Sequence, residues 1–497
     1  MKRTHIYIIA SFFLLFGMNS CTDILVEDPQ DQIFVDNYFE TENDAISAVN
    51  SIYAILNSTS TPPTFGGVYH SSYWVASGLA SDEMENRFVG VLEYDQLENF
   101  THNPVNGTLY DLWQNCYKGI NNANFAINGI PDVSMNEARK ASLLGEARFL
   151  RGLLYFELVR LFGEVPLFID TEPPLFPSKA SVSEVYEQIK ADLTFASENT
   201  FAEHDRGDGL GRATSGAAKS LLAKVHLTIG EYAACIALCD EVLDSGQYEL
   251  WEDFADAFRI ANENGKESIF NIGFGDANGS ISFWEVGQFN VRLLPAQLKE
   301  QITGVNAQGW QVATQDLFDS YDPNDRRREV TLMDKVFALD GRVLSIEPHI
   351  RKYWDQESEP NGGNTENDFP YLRLSDIYLM KAEAINELNN GPNAEAYDAI
   401  NTIRKRARFN GEITLDVLPD LEGLSYDSFK TALLNERRWE FTGEGKRWFD
   451  LVRFNKLEET VKAAKPEAQV SDFHKLFPIP QEELDLNKNL LPQNTGY

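Results

Sequence analysis

NEARKASLLGEARFLRGLLYFELVRLF, residues Asn136–Phe162, places Leu143, Ala147, Leu150, Leu154, Leu158 and Leu161 at steps of three and four. That spacing sets apolar side chains on one face of an α-helix. Ala138, Ala141, Gly145 and Gly152 interleave with them, and side chains this small let a second helix approach closely. The same grammar recurs along the chain. From Ser215 to Ile229 the apolar positions are Ala218, Leu221, Leu222, Val225 and Ile229; Gly230 then stops the helix and a second starts at Glu231. Later, Ile377, Met380, Ala384 and Leu388 form a stripe, Asn389-Asn390-Gly391-Pro392 break it, and Ala396, Ile400, Ile403 and Ala407 form the next.

Helix–turn–helix pairs with small residues at the crossings are the pattern of tetratricopeptide-like repeats. Four pairs are expected: Ala45–Leu56 with Trp113–Ile127, Asn136–Phe162 with Val182–Ser197, the two halves of Ser215–Ser245, and the two halves of Ser375–Phe409. The fold class is therefore mostly α, with little β. The expected organisation is an N-terminal helical region at 41–250, a variable loop-rich insertion with short strands at 251–370, and a C-terminal helical region at 371–497, all forming one compact unit. Long stretches between the pairs exclude a plain solenoid.

The N-terminus reads as an address. Lys2 and Arg3 precede the apolar run Ile6–Phe16, and small Ser20 precedes Cys21. This order is that of a secretory signal peptide, residues 1–20. The run is too short for a membrane span, which needs roughly twenty apolar residues. A Cys at this place is the acceptor of a bacterial lipoprotein, although Met18-Asn19-Ser20 depart from the usual lipobox. Residues 21–40, with Thr22-Asp23 and Glu27-Asp28, then form an acidic tether. Cys116, Cys235 and Cys239 are the other cysteines. Three cannot all pair, so the chain is no disulfide scaffold. Cys235 and Cys239 fall on an apolar helical stripe with Tyr232, Ile236 and Leu243, which is core packing rather than half a metal site.

A net charge of −33 argues against nucleic acid, whose binding needs a basic surface. There is no Gly-x-Ser-x-Gly, Walker A, His-Glu-x-x-His or dinucleotide fingerprint, and no cofactor or metal site is expected. Carboxylates are so abundant that no pair of them marks a glycosidase. The segment Asn435–Phe454 carries Arg437, Glu440, Glu444, Arg447, Asp450 and Arg453 at steps of three and four. An ion-pair ladder fixing a terminal helix explains it better than a charged active-site stripe, and Gly443 and Gly445 are expected to interrupt that helix. The better functional lead is aromatic residues in the insertions. Trp74 in residues 58–112, and Trp284 and Trp310 in 250–370, are candidate platforms for a sugar ring. Asp82 and Arg87 follow Trp74 and suit hydroxyl groups, as do Glu83 and Asn86. Phe65, Tyr69, Tyr73, Phe283 and Phe289 are further aromatics in these insertions.

Several motifs in one order resemble the SusD/RagB family of Bacteroidetes surface lipoproteins over almost the whole chain. They are Cys21-Thr22-Asp23-Ile24-Leu25, Trp113-x-x-x-Tyr117-x-x-Ile120 with Asn124, Glu146-Ala147-Arg148-Phe149-Leu150-Arg151 with Tyr155-Phe156, and Leu161–Leu167. Tyr371–Leu379 leads into Lys381-Ala382-Glu383; Glu436-Arg437, Glu440, Glu444-Gly445, Arg447, Asp450-Leu451 and Arg453 follow; Leu476–Pro480 and Asn487–Tyr497 close the chain. The resemblance implies four tetratricopeptide-like pairs carrying a variable region, no catalysis and no cofactor. It implies a lipid anchor at Cys21, exposure at the outer-membrane surface, and a SusC-like TonB-dependent transporter as partner. The cargo it implies is an oligosaccharide, or in some relatives a peptide; a surface-anchored glycoside hydrolase is the competing reading. The family's ligand residues have no fixed motif, so the resemblance assigns none of the residues above.

Overall fold

The computed structural model describes residues 38–58, 66–171, 173–202, 211–275, 287–357 and 366–497. Cys21, Phe65, Phe283 and Trp284 lie outside the described residues, as does the signal segment.

The expected pairs form. Helix α1 (Glu42–Asn57) starts at a Thr41–Asp44 capping box, in which two otherwise unpaired N–H groups are satisfied reciprocally. Two short helices in the first insertion, α2 (Tyr73–Leu79) and α3 (Leu92–Asn99), precede α4 (Gly107–Gly129). Next come α5 (Glu137–Phe162), α6 (Val182–Asn199), α7 (Ser215–Thr228) and α8 (Tyr232–Leu243). α1 packs on α4, α5 on α6, and α7 on α8. The small residues of α5 do what their size allows: a Cβ on Gly152 would stand 3.2 Å from Leu193, and one on Gly145 2.8 Å from the Thr200 methyl. Arg151 closes the same layer, with both arms on Asp192 at 2.8 and 2.7 Å and a third bond to Asn124 of α4. Gly230, at φ +79°, makes the turn between α7 and α8. Cys235 and Cys239 are buried free thiols on α8.

The variable region contributes short helices, among them the one-turn α9 (Phe289–Leu293). The last pair is α10 (Leu374–Asn389) with α11 (Ala394–Ala407), followed by α12 (Tyr426–Phe441) and the short α13 (Arg447–Arg453). One hydrophobic cluster runs from Ala45 to Leu490 through all these pairs, and a smaller one gathers Leu294, Leu298, Met333, Val336 and Trp354. Among the described residues the strands make three two-stranded antiparallel sheets: β1 (Met84–Asn86) with β3 (Gln311–Ala313), β2 (Ser268–Ile272) with β6 (Phe369–Arg373), and β4 (Leu332–Phe337) with β5 (Val343–Ile350). Among the described residues no helix is long and apolar enough to cross a membrane.

The charged C-terminal stripe is not one helix. α12 ends at Phe441 and α13 begins at Arg447, because Gly443 and Gly445 take φ of +79° and +66°, a region that side-chain-bearing residues avoid. Nor do most of its charges pair along the helix. Glu440 meets Arg373 at 2.5 Å, Arg327 at 3.3 Å and Arg406; Glu444 meets Lys352 at 2.8 Å and Arg373 at 2.9 Å. Arg437 bridges Asp376 and Asp450, each at 2.8 Å. These groups are buried, so the stripe is a buried ionic hub tying α12 and α13 to β6, α10 and α11. Burial opposes ionisation of Glu444, but Arg373 and Lys352 hold its carboxyl down to about 2.

Candidate functional site

The β1–β3 ladder joins the first insertion to the second, with Glu85 opposite Val312 and Asn86 opposite Gln311. One step beyond it, the Arg87 N–H donates to the Trp310 carbonyl at 2.7 Å. This register lays Phe88 flat on the Trp310 indole, with centroids 4.2 Å apart and planes 5° from parallel. The loop after β1 is held by Asn86, whose Oδ1 accepts from the Phe88 N–H at 3.1 Å while its Nδ2 donates to Asp95 at 2.7 Å. The Arg292 guanidinium of α9 stands 5.2 Å from the Trp310 centroid and donates to the Tyr94 hydroxyl at 3.2 Å.

The two stacked rings are half-buried, and beside them Val89 is 93% and Leu92 65% exposed. Arg87 reaches Glu85 at 2.5 Å and Glu347 of β5 at 2.9 Å, all three partly in solvent. Exposed pairs of this kind contribute little to stability and can exchange partners with a ligand. The site therefore offers an apolar ring surface bordered by one guanidinium and two carboxylates.

The structure brings together two of the candidate ligand residues, Arg87 and Trp310. It overturns two others. Trp74 is fully buried on α2, its indole 5.4 Å from the Phe289 ring and its N–H donating to the His70 carbonyl at 3.3 Å. No ring face is left for a sugar. Asp82 is also fully buried, clamped by both arms of Arg447 at 2.8 and 2.9 Å and by Arg438 at 2.9 Å. Tyr69, Tyr73 and Phe289 are core residues too, with Tyr69 donating to Glu157 at 3.0 Å. Phe88 and Glu347 were not anticipated. The Val89-Gly90 step, with Gly90 at φ +95°, is the one local signal that Phe88 precedes an exposed turn.

A second polar recess of about 430 Å³ is lined by Asn50, Asn57, Arg212, Asn264, Asn271 and Asp368, with Tyr53 and Phe274 beside them. Among the described residues, the buried Oδ1 atoms of Asn264 and Asn271 and the Arg212 Nη2 have no hydrogen-bond partner, a state that buried polar groups seldom keep. Burial pushes the Asp368 carboxyl up to about 6.

Glu83, next to Asp82, is buried at 1% exposure. Burial, then the Asp82 charge, push its carboxyl up to about 8 from 4.5. An acid raised on folding stabilises fully below its unfolded value and loses that contribution as pH rises through its folded value. Glu83→Gln should match the parent at pH 4 and be more stable at pH 8.5 by at least about 1 kcal/mol. Urea titrations at the two pH values measure the difference, and an unchanged gap would refute the burial argument.

Paired helices in a tetratricopeptide-like frame carry the insertions that hold the Phe88–Trp310 stack. The comparisons name the family. Residues 340–497 match the SusD family, and residues 37–227 match a family described as starch-binding associating with outer membrane. The chain belongs to the SusD/RagB family. It is 28% identical to the SusD-like protein P25 of Formosa agariphila, over 99% of both chains. A laminarin-binding SusD-like protein of known structure is 26% identical with a TM-score of 0.77, covering 92% of this chain and 100% of that one. The surface glycan-binding protein A from Bacteroides fluxus gives the same identity, 26%, TM-score, 0.77, and shares, 92% and 100%.

Proposed function

We propose that this protein is a surface lipoprotein that binds a nutrient glycan and delivers it to a TonB-dependent transporter of the outer membrane. The observation that carries the reading is the Phe88–Trp310 stack, a partly exposed aromatic surface rimmed by Arg87, Glu85 and Glu347. Aromatic faces pack on the C–H faces of sugars, while guanidinium and carboxylate groups pair with vicinal hydroxyls. The amide-lined recess around Asn264 and Asn271 offers further partners of the same kind. The similar laminarin-binding SusD-like protein and the surface glycan-binding protein A support the class of cargo.

Binding without catalysis fits the placement of the acids. The buried carboxylates Asp82, Glu440 and Glu444 are held by guanidinium and ammonium groups below the ordinary carboxylate range. Of the raised acids, Glu83 is closed to solvent, and Asp368 in the amide recess has both oxygens engaged, by the Phe274 N–H at 3.0 Å and the Asn264 amide at 3.1 Å. A glycosidase needs a protonated acid and a second carboxylate facing the same bond.

The test is affinity electrophoresis of the purified protein in gels containing a panel of polysaccharides, laminarin first. Retardation by one glycan, without release of reducing ends, is the expected result. Retardation by none, with binding of a peptide mixture instead, would favour peptide cargo, and sugar release would favour a hydrolase.

The anchor is tested separately. Cys21→Ala should move the protein from the membrane fraction to the soluble fraction and abolish incorporation of labelled palmitate. One acyl chain holds a protein only marginally, whereas several hold it lastingly, so the shift should be near complete. Palmitate still entering the variant would remove Cys21 from this role.

A further inference from the structure

A recess of about 330 Å³ opens on the helical frame, remote in sequence from β1 and β3, between α5, α6, α7, α10 and α13. Tyr186, Leu227, Met380, Trp448, Phe449 and Leu476 make its apolar wall. Six cations also line it: Arg160, Lys224, Arg437, Lys446, Arg453 and Lys475. In a chain of net charge −33, this is a local reversal of sign.

Lys475 pairs with Asp472 at the rim, but the carboxylates that meet the inner cations are shared among them. Arg160 is paired with Glu157, and Arg453 with Glu383 and with Asp450 at 2.9 Å. Arg437 shares that Asp450 at 2.8 Å and lies 2.8 Å from Asp376. Lys224, at 3.2 Å, and Lys446, at 3.4 Å, depend on the same Asp376. Lys446 also reaches Glu444 at 3.3 Å, a group already engaged by Lys352 and Arg373. Of all these carboxylates, Asp450 alone lines the recess. Burial pushes the Lys224 ammonium down to about 8, and that of the Arg453 guanidinium down to about 10, so neither cation recovers its lost hydration from its partners. Trp448 adds a buried indole N–H that has no hydrogen-bond partner among the described residues.

Apolar walls with a few convergent charges are the form of a small-molecule site. A buried cation that shares its carboxylate with other cations favours an anion over a neutral molecule of the same shape. We propose that this recess binds one small organic anion with a flat apolar body, of the class of aromatic carboxylates and sulfonates. Its charge lies toward Lys224 and Arg453 and its body against Tyr186, Leu227 and Leu476. The proposal is independent of the glycan reading, since no residue of the recess belongs to the Phe88–Trp310 site.

The test uses the whole protein and a matched pair of probes, naphthalene-2-sulfonate and the neutral naphthalene-2-sulfonamide, titrated by calorimetry. The sulfonate should bind at one site per chain and the sulfonamide at least about tenfold more weakly, the cost of one lost charge-assisted contact. Lys224→Met should weaken sulfonate binding about tenfold, Asp376 keeping Arg437 and Lys446 as partners. Thr228→Phe, which fills the recess without touching a charge, should abolish it. Trp310→Ala should leave it unchanged. No saturable sulfonate binding, equal binding of the two probes, or binding indifferent to Thr228→Phe would each overturn the proposal. If Lys224→Met does not fold, the probe pair on the unmodified protein and Thr228→Phe still decide.

Discussion

Arg447→Ala should lower the free energy of unfolding by about 3–5 kcal/mol, the cost of breaking a buried ion pair from one side. Arg447 gives Asp82 two hydrogen bonds, at 2.8 and 2.9 Å, and a third to the Leu434 carbonyl at 3.1 Å. The side chains of both partners are essentially closed to solvent. Burial opposes ionisation of Asp82, but Arg447 and Arg438 overcome it and hold the carboxyl well below its usual 3.8. A carboxyl lowered on folding contributes stability that is present above its unfolded pKa and is lost as pH falls through the folded one. The penalty of the variant should therefore be full at pH 7 and shrink in acid below about pH 4. Arg447→Lys keeps the charge but not the planar fork, and should recover part of the loss. Chemical denaturation with circular dichroism measures both. Glycan affinity of the folded fraction should stay within about twofold of the parent, because Arg447 lies in the interior. Intact stability with abolished binding would place the ligand at this pair instead.

Trp310→Ala should weaken glycan binding by about 2 kcal/mol, roughly thirtyfold, the typical loss when an aromatic hot spot is truncated. Removing the indole takes away one ring and also the surface on which Phe88 lies flat. Phe88→Ala should cost a similar amount, and the double variant should cost less than the sum, since the two rings act as a unit. Stability should change little, because Trp310 is only partly buried and belongs to neither hydrophobic cluster. The measurement is calorimetric titration with the glycan that retards the protein most in the electrophoresis panel. Parent-like affinity in both single variants would move the binding surface to the recess around Asn264 and Asn271.

The helical frame was legible because helices are specified locally. The three- and four-residue spacing in Asn136–Phe162 reports a buried face whatever lies opposite, and Gly145 and Gly152 announced the close helix that Val182–Asn199 supplies. Gly443 and Gly445 likewise marked the break between α12 and α13, since their backbone angles are a local requirement. The site was legible only in part. Trp74 and Trp310 looked alike in sequence, each in an insertion near Gly or Pro. Trp74 lies on a helix packed under Phe289, and Trp310 lies at the rim of a two-stranded ladder. Phe88 gave little sign, because its partner lies in the other insertion.

The sequence by itself determined the class of fold, the pairing of neighbouring helices and the chemical types available to bind a ligand, all of which depend on residues within a few turns of one another. Tertiary structure alone decided which of those residues face solvent. Asp82 meets Arg447 across 365 positions, and Arg87 meets Glu347 across 260; the first pair is buried and structural, the second exposed and free to meet a ligand. Burial depends on what packs against a residue from distant parts of the chain, and no local pattern of spacing or composition encodes it.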